Sequence, residues 1–380
     1  MDALVNGTIL LDGDLVAGRV LLIDRTRIRD LVAEAAVPRD ARRIDLEGGL
    51  LAPGFIDLQV NGGGGCLFND EPTPETIARI GMAHRRYGVT GFLPTLITAD
   101  RATMARAIDA ARSAIEVGVP GVLGIHLEGP HINPARKGVH DEACIRPLDL
   151  DDVALLTSLQ GGRTLITLAP ECVPRDAIEA LARDAVVFAG HTDGGYAQIR
   201  AGLAAGISGF THLFNAMSQL GSREPGAVGA ALTCDAACGI IVDGHHVHPA
   251  SVRLALEAKP RGTLFLVSDA MPPVGADQSG FALGTEWIEV RGGRCTTSDG
   301  RLAGSALDMA TAVRNAVNLV GVPLEEALHM ASTYPARVLG DRERGRIAPG
   351  MRADLVLLDG ALQVRATWIG GEPAWSEASP

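Results

Sequence analysis

The chain has 380 residues, with 34 Lys and Arg against 45 Asp and Glu and a formal net charge of −11. Hydrophobic residues make up 47 % and aromatics only 4 %, so the apolar mass is aliphatic and sufficient for one large domain and a smaller one. The acidic total with no basic stripe argues against nucleic-acid binding, the N-terminus lacks the charge pattern of a signal peptide, and no long uncharged apolar run predicts a membrane span. Cys66, Cys144, Cys172, Cys234, Cys238 and Cys295 are scattered with no CxxC pair. They read as small buried thiols, and the expected compartment is the cytoplasm.

In chain order, the first fifty residues alternate apolar and polar, broken at Asn6-Gly7 and Asp12-Gly13, which predicts short antiparallel strands. The last forty look alike (GRIAPGMRADLVLLD, LQVRATWIGGEPAW). Residues 1–50 and 342–380 are therefore expected to form one small β domain, leaving 51–341 for a catalytic domain. That middle holds eight apolar runs, at 54–62, 89–96, 122–130, 163–171, 185–193, 206–215, 238–246 and 263–271, mostly separated by segments of helical periodicity. Eight strand–helix units predict an α/β architecture closed as a (β/α)8 TIM-like barrel. The last unit continues as two helical segments, SALDMATAVRNAVNLVG and LEEALHMASTYPARVLG.

Chemistry-bearing residues sit at the C-terminal ends of these runs, the face on which barrel active sites are built. Glu128, His191 and His212 end runs three, five and six. A lone strand-end histidine is more often a hydrogen-bonded core residue, and a lone glutamate often pairs with an arginine. Together, at equivalent ends of barrel strands, one carboxylate and two imidazoles make a catalytic metal set. Asp269 ends run eight, where an aspartate can take a proton from water and pass one to a leaving amine. The bland alternative is a turn aspartate ahead of Pro272. His246 in VDGHHVHP is a donor to a carbonyl oxygen or a substrate hydroxyl, with His245 and His248 as competing assignments. The glycine-rich loop 214–232 carries Arg223, with Asn215 and Ala216 before it; this suits a phosphate, or else is an ordinary surface loop. Loop 131–146 is long and polar, fit to cover the mouth, with His140 as its candidate binder. Arg136 and Lys137 read as solvated.

The pieces APGFIDLQVNG, HLEGPHINPARKGVH, AGHTDG, THLFNAMSQLGSREPG, VDGHHVHP, LVSDAMPPVG, LAGSALDM and YPARVLG resemble the amidohydrolase superfamily. LEGP, THLFNAM and REPG narrow the resemblance to the N-acetylglucosamine-6-phosphate deacetylase family. The resemblance implies a barrel joined to a small β-sandwich made by both termini. It implies metal at Glu128, His191 and His212, catalysis by Asp269, His246 on the acetyl carbonyl and His140 on the sugar. Asn215, Ala216 and Arg223 would hold the phosphate, and Leu302, Ala303 and Gly304 would close over the substrate. It also implies a homodimer acting on a phosphorylated amino sugar. Many superfamily members carry His-x-His at the end of strand one for a second metal; here Gln59-Val60-Asn61 stands there. Amides are poor ligands for transition metals, so one divalent ion per subunit is expected, zinc first and iron, cobalt or manganese after it. Asp57 then has no metal role. Three rivals remain. One is a deacetylase for the galacto epimer or another N-acyl amine. The second is a catalytically silent barrel. The third, a cyclic-amide hydrolase with a carboxylated lysine, is disfavoured because no Lys ends a barrel strand.

Overall fold

All eight runs become parallel strands in the computed structural model, which describes residues 1–375. They are β1 (Phe55–Val60), β2 (Val89–Ile97), β3 (Gly124–Glu128), β4 (Arg163–Leu168), β5 (Val186–Ala189), β6 (Gly209–Phe210), β7 (Ala237–Ile240) and β8 (Leu264–Leu266). Neighbours in sequence are neighbours in the sheet. Every residue of β1, β2 and β3 is buried, which explains why they read as continuous apolar runs rather than alternating ones. Helices with buried apolar faces cover the outside. Pro74–Arg85 starts on the Thr73 side chain, which accepts from the Thr76 N–H, and Arg101–Glu116 starts likewise on Asp100.

The barrel closes between β1 and the residues just after β8. Val60 bridges Ala270 in parallel. The Asp269 N–H donates to the Gln59 carbonyl at 3.0 Å, and the Asn61 and Gly62 N–H groups donate to the Ala270 carbonyl at 2.9 Å. Asp57 reinforces this seam: its Oδ1 accepts from the Ser268 and Gln59 N–H groups, and its Oδ2 accepts from the Ser268 hydroxyl. Burial pushes the Asp57 carboxyl up to about 7, against these hydrogen bonds. Asp57, with no metal role expected, is a closure residue.

The two chain ends build two sheets, as expected. One has four strands: Asp2–Val5, Arg19–Asp24, Arg27–Ala33 and Arg42–Asp45. The other has six: Thr8–Leu11, Asp14–Ala17, Leu50–Pro53, Leu355–Leu358, Val364–Ile369 and Glu372–Trp375. Leu4 and Leu21 of the first share a core with Ile9, Leu51, Leu355 and Trp368 of the second, which makes the pair a sandwich. Two corrections follow. The pairing is mixed: Asp2–Val5 runs parallel to Arg42–Asp45, and Thr8–Leu11 parallel to Leu50–Pro53. Side-chain alternation reports which face is buried but not the direction of the neighbour. The N-terminal part also reaches Pro53 rather than residue 50, while residues 376–380 of the expected C-terminal part lie outside the described residues.

One element was not foreseen. Between β8 and the next helix, the chain makes an antiparallel sheet of Gly280–Leu283, Glu286–Arg291, Arg294–Thr296 and Leu302–Ser305. Its last strand docks on the seam, where the Met271 N–H donates to the Ser305 carbonyl. Phe281, Ile288, Cys295 and Ala303 pack there against Met271 and Leu67. The two helical segments that follow are Met309–Asn315, continued by a π turn at Ala316–Val320, and Leu324–Ala331 with Thr333–Val338.

Candidate metal centre and active site

The barrel brings Glu128, His191 and His212 into one buried cluster. Glu128 ends β3, and His191 and His212 each stand two residues beyond their strands, β5 and β6. The Nε2 atoms of His191 and His212 lie 3.2 and 3.0 Å from Glu128 Oε1, and 3.1 Å from each other. Three donor atoms held by one tetrahedral ion at roughly 2.0–2.1 Å stand about 3.3 Å apart, so the spacing fits a single small cation. The protonation pattern fits too. His191 Nδ1 donates to the Arg136 carbonyl at 2.8 Å, which leaves its Nε2 lone pair facing the carboxylate. Burial raises the Glu128 pKa, but His191 and His212 outweigh it and hold the carboxyl well below its ordinary range. The cluster can therefore hold a divalent metal through one carboxylate and two imidazoles.

Donor atoms of Glu128, His140 and His191 also lie within 4.8 Å of one another. His140 is the weaker ligand on chemical grounds. Its Nδ1 accepts from the Thr98 N–H at 3.4 Å and lies 2.7 Å from the Thr98 hydroxyl, so the proton belongs on Nε2. An N–H donor suits an oxygen of a bound molecule, not a cation. Burial and then His191 keep its pKa well below the usual imidazole value.

Gln59 and Asn61 turn their amide nitrogens toward the acids. Gln59 Nε2 lies 3.1 Å from both Glu128 oxygens and from Asp269 Oδ1. Asn61 Nδ2 donates to the same Asp269 oxygen at 2.6 Å. These N–H groups supply positive potential with no lone pair to offer a metal. Asp269 is half-buried, and its carboxyl is pushed up to about 6, first by loss of water around it and then by Glu128; His212, His246 and Asn61 pull it back. The backbone here is strained. Asp269, His191, His212 and Ala216 have φ of +53°, +47°, +32° and +47°. Side chains rarely accept this region, and its concentration at one mouth marks a functional surface.

The His245–His246–His248 trio resolves. His248 caps the helix Pro249–Ala258 by accepting from the Ala250 N–H. His245 faces Arg294 and the Gly292 carbonyl. Only His246 reaches the cavity, and Asp243 holds its Nδ1 at 2.6 Å.

The cavity above the cluster measures about 330 Å³ and is also lined by Asn61, His140, Asn215, Ala216, His246, Asp269, Leu302 and Gly304. Three expected placements change. Ala303 is fully buried, pointing into the hairpin core on the strand face opposite Leu302 and Gly304. Arg223 is exposed and does not line the cavity. Its turn is anchored by Glu224, whose Oε1 accepts from the Tyr196 and Gly226 N–H groups, and Arg223 is left in solvent. Arg136, expected to be solvated, lines the wall and pairs with Asp193. Arg301 also lines it, and donates to the Gly138 carbonyl at 3.0 Å, clasping the hairpin to the loop that carries His140. Asp243, three residues before His246, carried a readable signal in VDGHH. Arg301 carried none, because its hairpin was not foreseen.

Below the centre lies a polar floor. His126 Nε2 meets the Thr167 hydroxyl at 2.8 Å, and that hydroxyl meets Thr211 at 2.6 Å. Burial pushes His126 down to about 4, so it is neutral.

The chain is similar to known proteins over nearly its full length. The N-acetylgalactosamine-6-phosphate deacetylase of Shewanella sp. (strain ANA-3) is 45 % identical, the match covering 86 % of this chain and 84 % of that protein. The N-acetylglucosamine-6-phosphate deacetylase of Haemophilus influenzae is 33 % identical, covering 99 % of each. The crystal structure of N-acetylglucosamine-6-phosphate deacetylase from Pasteurella multocida superposes with a TM-score of 0.96 at 36 % identity, over 98 % of this chain and 99 % of that one. The sequence model of the Amidohydrolase family matches residues 50–376, and the chain belongs to this family of metal-dependent hydrolases.

Proposed function

We propose that this enzyme removes the acetyl group from an N-acetylated hexosamine 6-phosphate, N-acetyl-D-glucosamine 6-phosphate in the first instance, releasing acetate and the free amino sugar phosphate. The observation that carries the reading is the placing of Asp269 beside the Glu128–His191–His212 cluster within one cavity of about 330 Å³, a size suited to a small molecule. The names borne by its relatives supply the substrate class.

In this reading Glu128, His191 and His212 hold one divalent ion, zinc by preference, which when bound acidifies water and polarises the acyl carbonyl. Asp269 accepts the proton of the attacking water and then delivers it to the amine nitrogen. A carboxylate is a base to the water and, once protonated, an acid to the amine, so one group serves both directions. Gln59 and Asn61 keep Asp269 aimed and offset the charge of two neighbouring acids. His246 faces the acyl oxygen, His140 donates to a sugar oxygen, and Asn215 and Ala216 line the phosphate side, with Leu302 and Gly304 across from them. We place the enzyme in the cytoplasm as a homodimer. The dimer also accommodates Arg223: exposed on its own subunit, it is free to serve the cavity of the second.

The galacto epimer is the second reading, favoured by the 45 % identity to an enzyme named for it. Acetate release from both epimers, each with and without the 6-phosphate, tests the proposal with metal quantified on the same sample. Activity is expected only on phosphorylated sugars, and the ratio of kcat/KM assigns the epimer. Asp269→Asn is expected to lower turnover by at least about 10²-fold with metal retained; near-normal turnover would remove Asp269 from its role.

A further inference from the structure

We infer that Asp243 is the positioning residue of His246, and that the two act as a carboxylate–imidazole dyad on the acyl oxygen. The inference rests on the deacetylase reading above. Both side chains are nearly buried, at 5 % and 7 % exposure, so neither is a solvated surface pair. Asp243 Oδ2 stands 2.6 Å from His246 Nδ1, and Asp243 Oδ1 accepts from the His245 and His246 N–H groups at 2.8 Å each. Those two bonds fix the carboxylate before it meets the ring. The Val242 carbonyl, one residue earlier, accepts from Asn315, which ties the turn to the barrel's outer helices.

A carboxylate accepts and does not donate, so the proton at this contact belongs on His246 Nδ1. The tautomer is thereby set, and Nε2 is the nitrogen left for the cavity. His246 and Asp269 line the same cavity, which places the ring on the wall that also carries the proton acceptor. As negative charge grows on the acyl oxygen, a proton on Nε2 stabilises it, and the buried carboxylate behind the ring supports the positive imidazole this requires. Without Asp243, the ring would be free to turn and would lose the carboxylate that supports its positive form.

Asp243→Asn is the direct variant. It keeps an oxygen for the two backbone amides but presents an N–H to the ring. Expected is a fall of roughly 10–100-fold in kcat with little change in KM, unaltered metal content and an unaltered melting temperature. In the His246→Ala background the same change should add nothing, because Asp243 acts through the ring. Asp243→Glu, which restores a carboxylate, should recover more activity than Asp243→Ala. Near-normal activity in Asp243→Asn, or a full multiplicative loss on top of His246→Ala, would overturn the dyad. If Asp243→Asn does not fold, Asp243→Ser carries the same cycle. Nitrogen NMR of histidine-labelled enzyme reads the tautomer without substrate: a proton on His246 Nδ1 supports the inference and a bare Nδ1 refutes it. A wild-type enzyme inactive on every phosphorylated N-acetyl sugar would instead strike the deacetylase reading, leaving the NMR to decide the pairing.

Discussion

The amides of Gln59 and Asn61 are the most instructive residues in the site. In a barrel built for two ions, imidazoles at these positions would offer lone pairs; here N–H groups face the acids. They keep two neighbouring carboxyls from repelling each other unrelieved. Gln59→Leu removes a donor within reach of three carboxylate oxygens at similar size. Metal affinity is expected to fall by about 10–100-fold, as outer contacts to ligands usually require, and competition with a chelator measures it. Glu128, His191, His212 and Asp269 were legible in the sequence because each ends a run whose burial on both faces leaves only its C-terminal end free for chemistry. The direction in which Gln59 turns its amide was not legible, since it is set by acids on β3 and beyond β8. The placing of Arg223 was not legible for a related reason: Glu224 fastens its turn and leaves the arginine exposed, outside the cavity of its own subunit.

Among the elements, the β1–β8 seam does the closing, and Asp57 is its titratable part. The native carboxyl keeps its proton up to about 7, against an ordinary 3.8. Between these values the native state binds more protons than the unfolded chain. Stability from this group is therefore fully present below about 4, declines as pH rises toward 7, and is level above that. Asp57→Asn has no such proton to lose. Urea midpoints between pH 5 and pH 8 should fall further in the wild type than in Asp57→Asn, while Asp57→Ala, which strands two buried N–H groups, should be less stable at every pH by about 1–3 kcal/mol per group. The eight strands were readable because parallel strands buried on both sides declare themselves as apolar runs. The hairpin sheet at 280–305 was hidden: its strands are short and largely exposed, with Trp287 63 % accessible, so no periodic signal marked it.

At the scale of the whole molecule, the proposed homodimer supplies a test of Arg223 as the partner of the proposed substrate's phosphate. Arg223→Ala and Asp269→Asn subunits are each expected to be impaired alone. Mixed and re-equilibrated, half the dimers would be hybrids, and each hybrid would own one cavity with an intact Asp269 facing a partner's intact Arg223. Activity at low substrate should then return to roughly a quarter of wild type for a symmetric pair. No recovery would mean that Arg223 serves its own subunit or neither.

The sheet shared by the two chain ends has a consequence of another kind. Leu50–Pro53 pairs with Leu355–Leu358, while β1 begins two residues after Pro53. During synthesis the strand leading into the barrel must wait, half-paired, until the last part of the chain has been made. Closing so long a loop costs entropy that the early strands cannot recover alone, so the six-stranded sheet is completed only after the barrel's strands have been made. Its N-terminal strands are apolar on one face and unpaired at one edge for most of that time. The segment that frames the enzyme at the end is thus the one most exposed to wrong partners at the beginning.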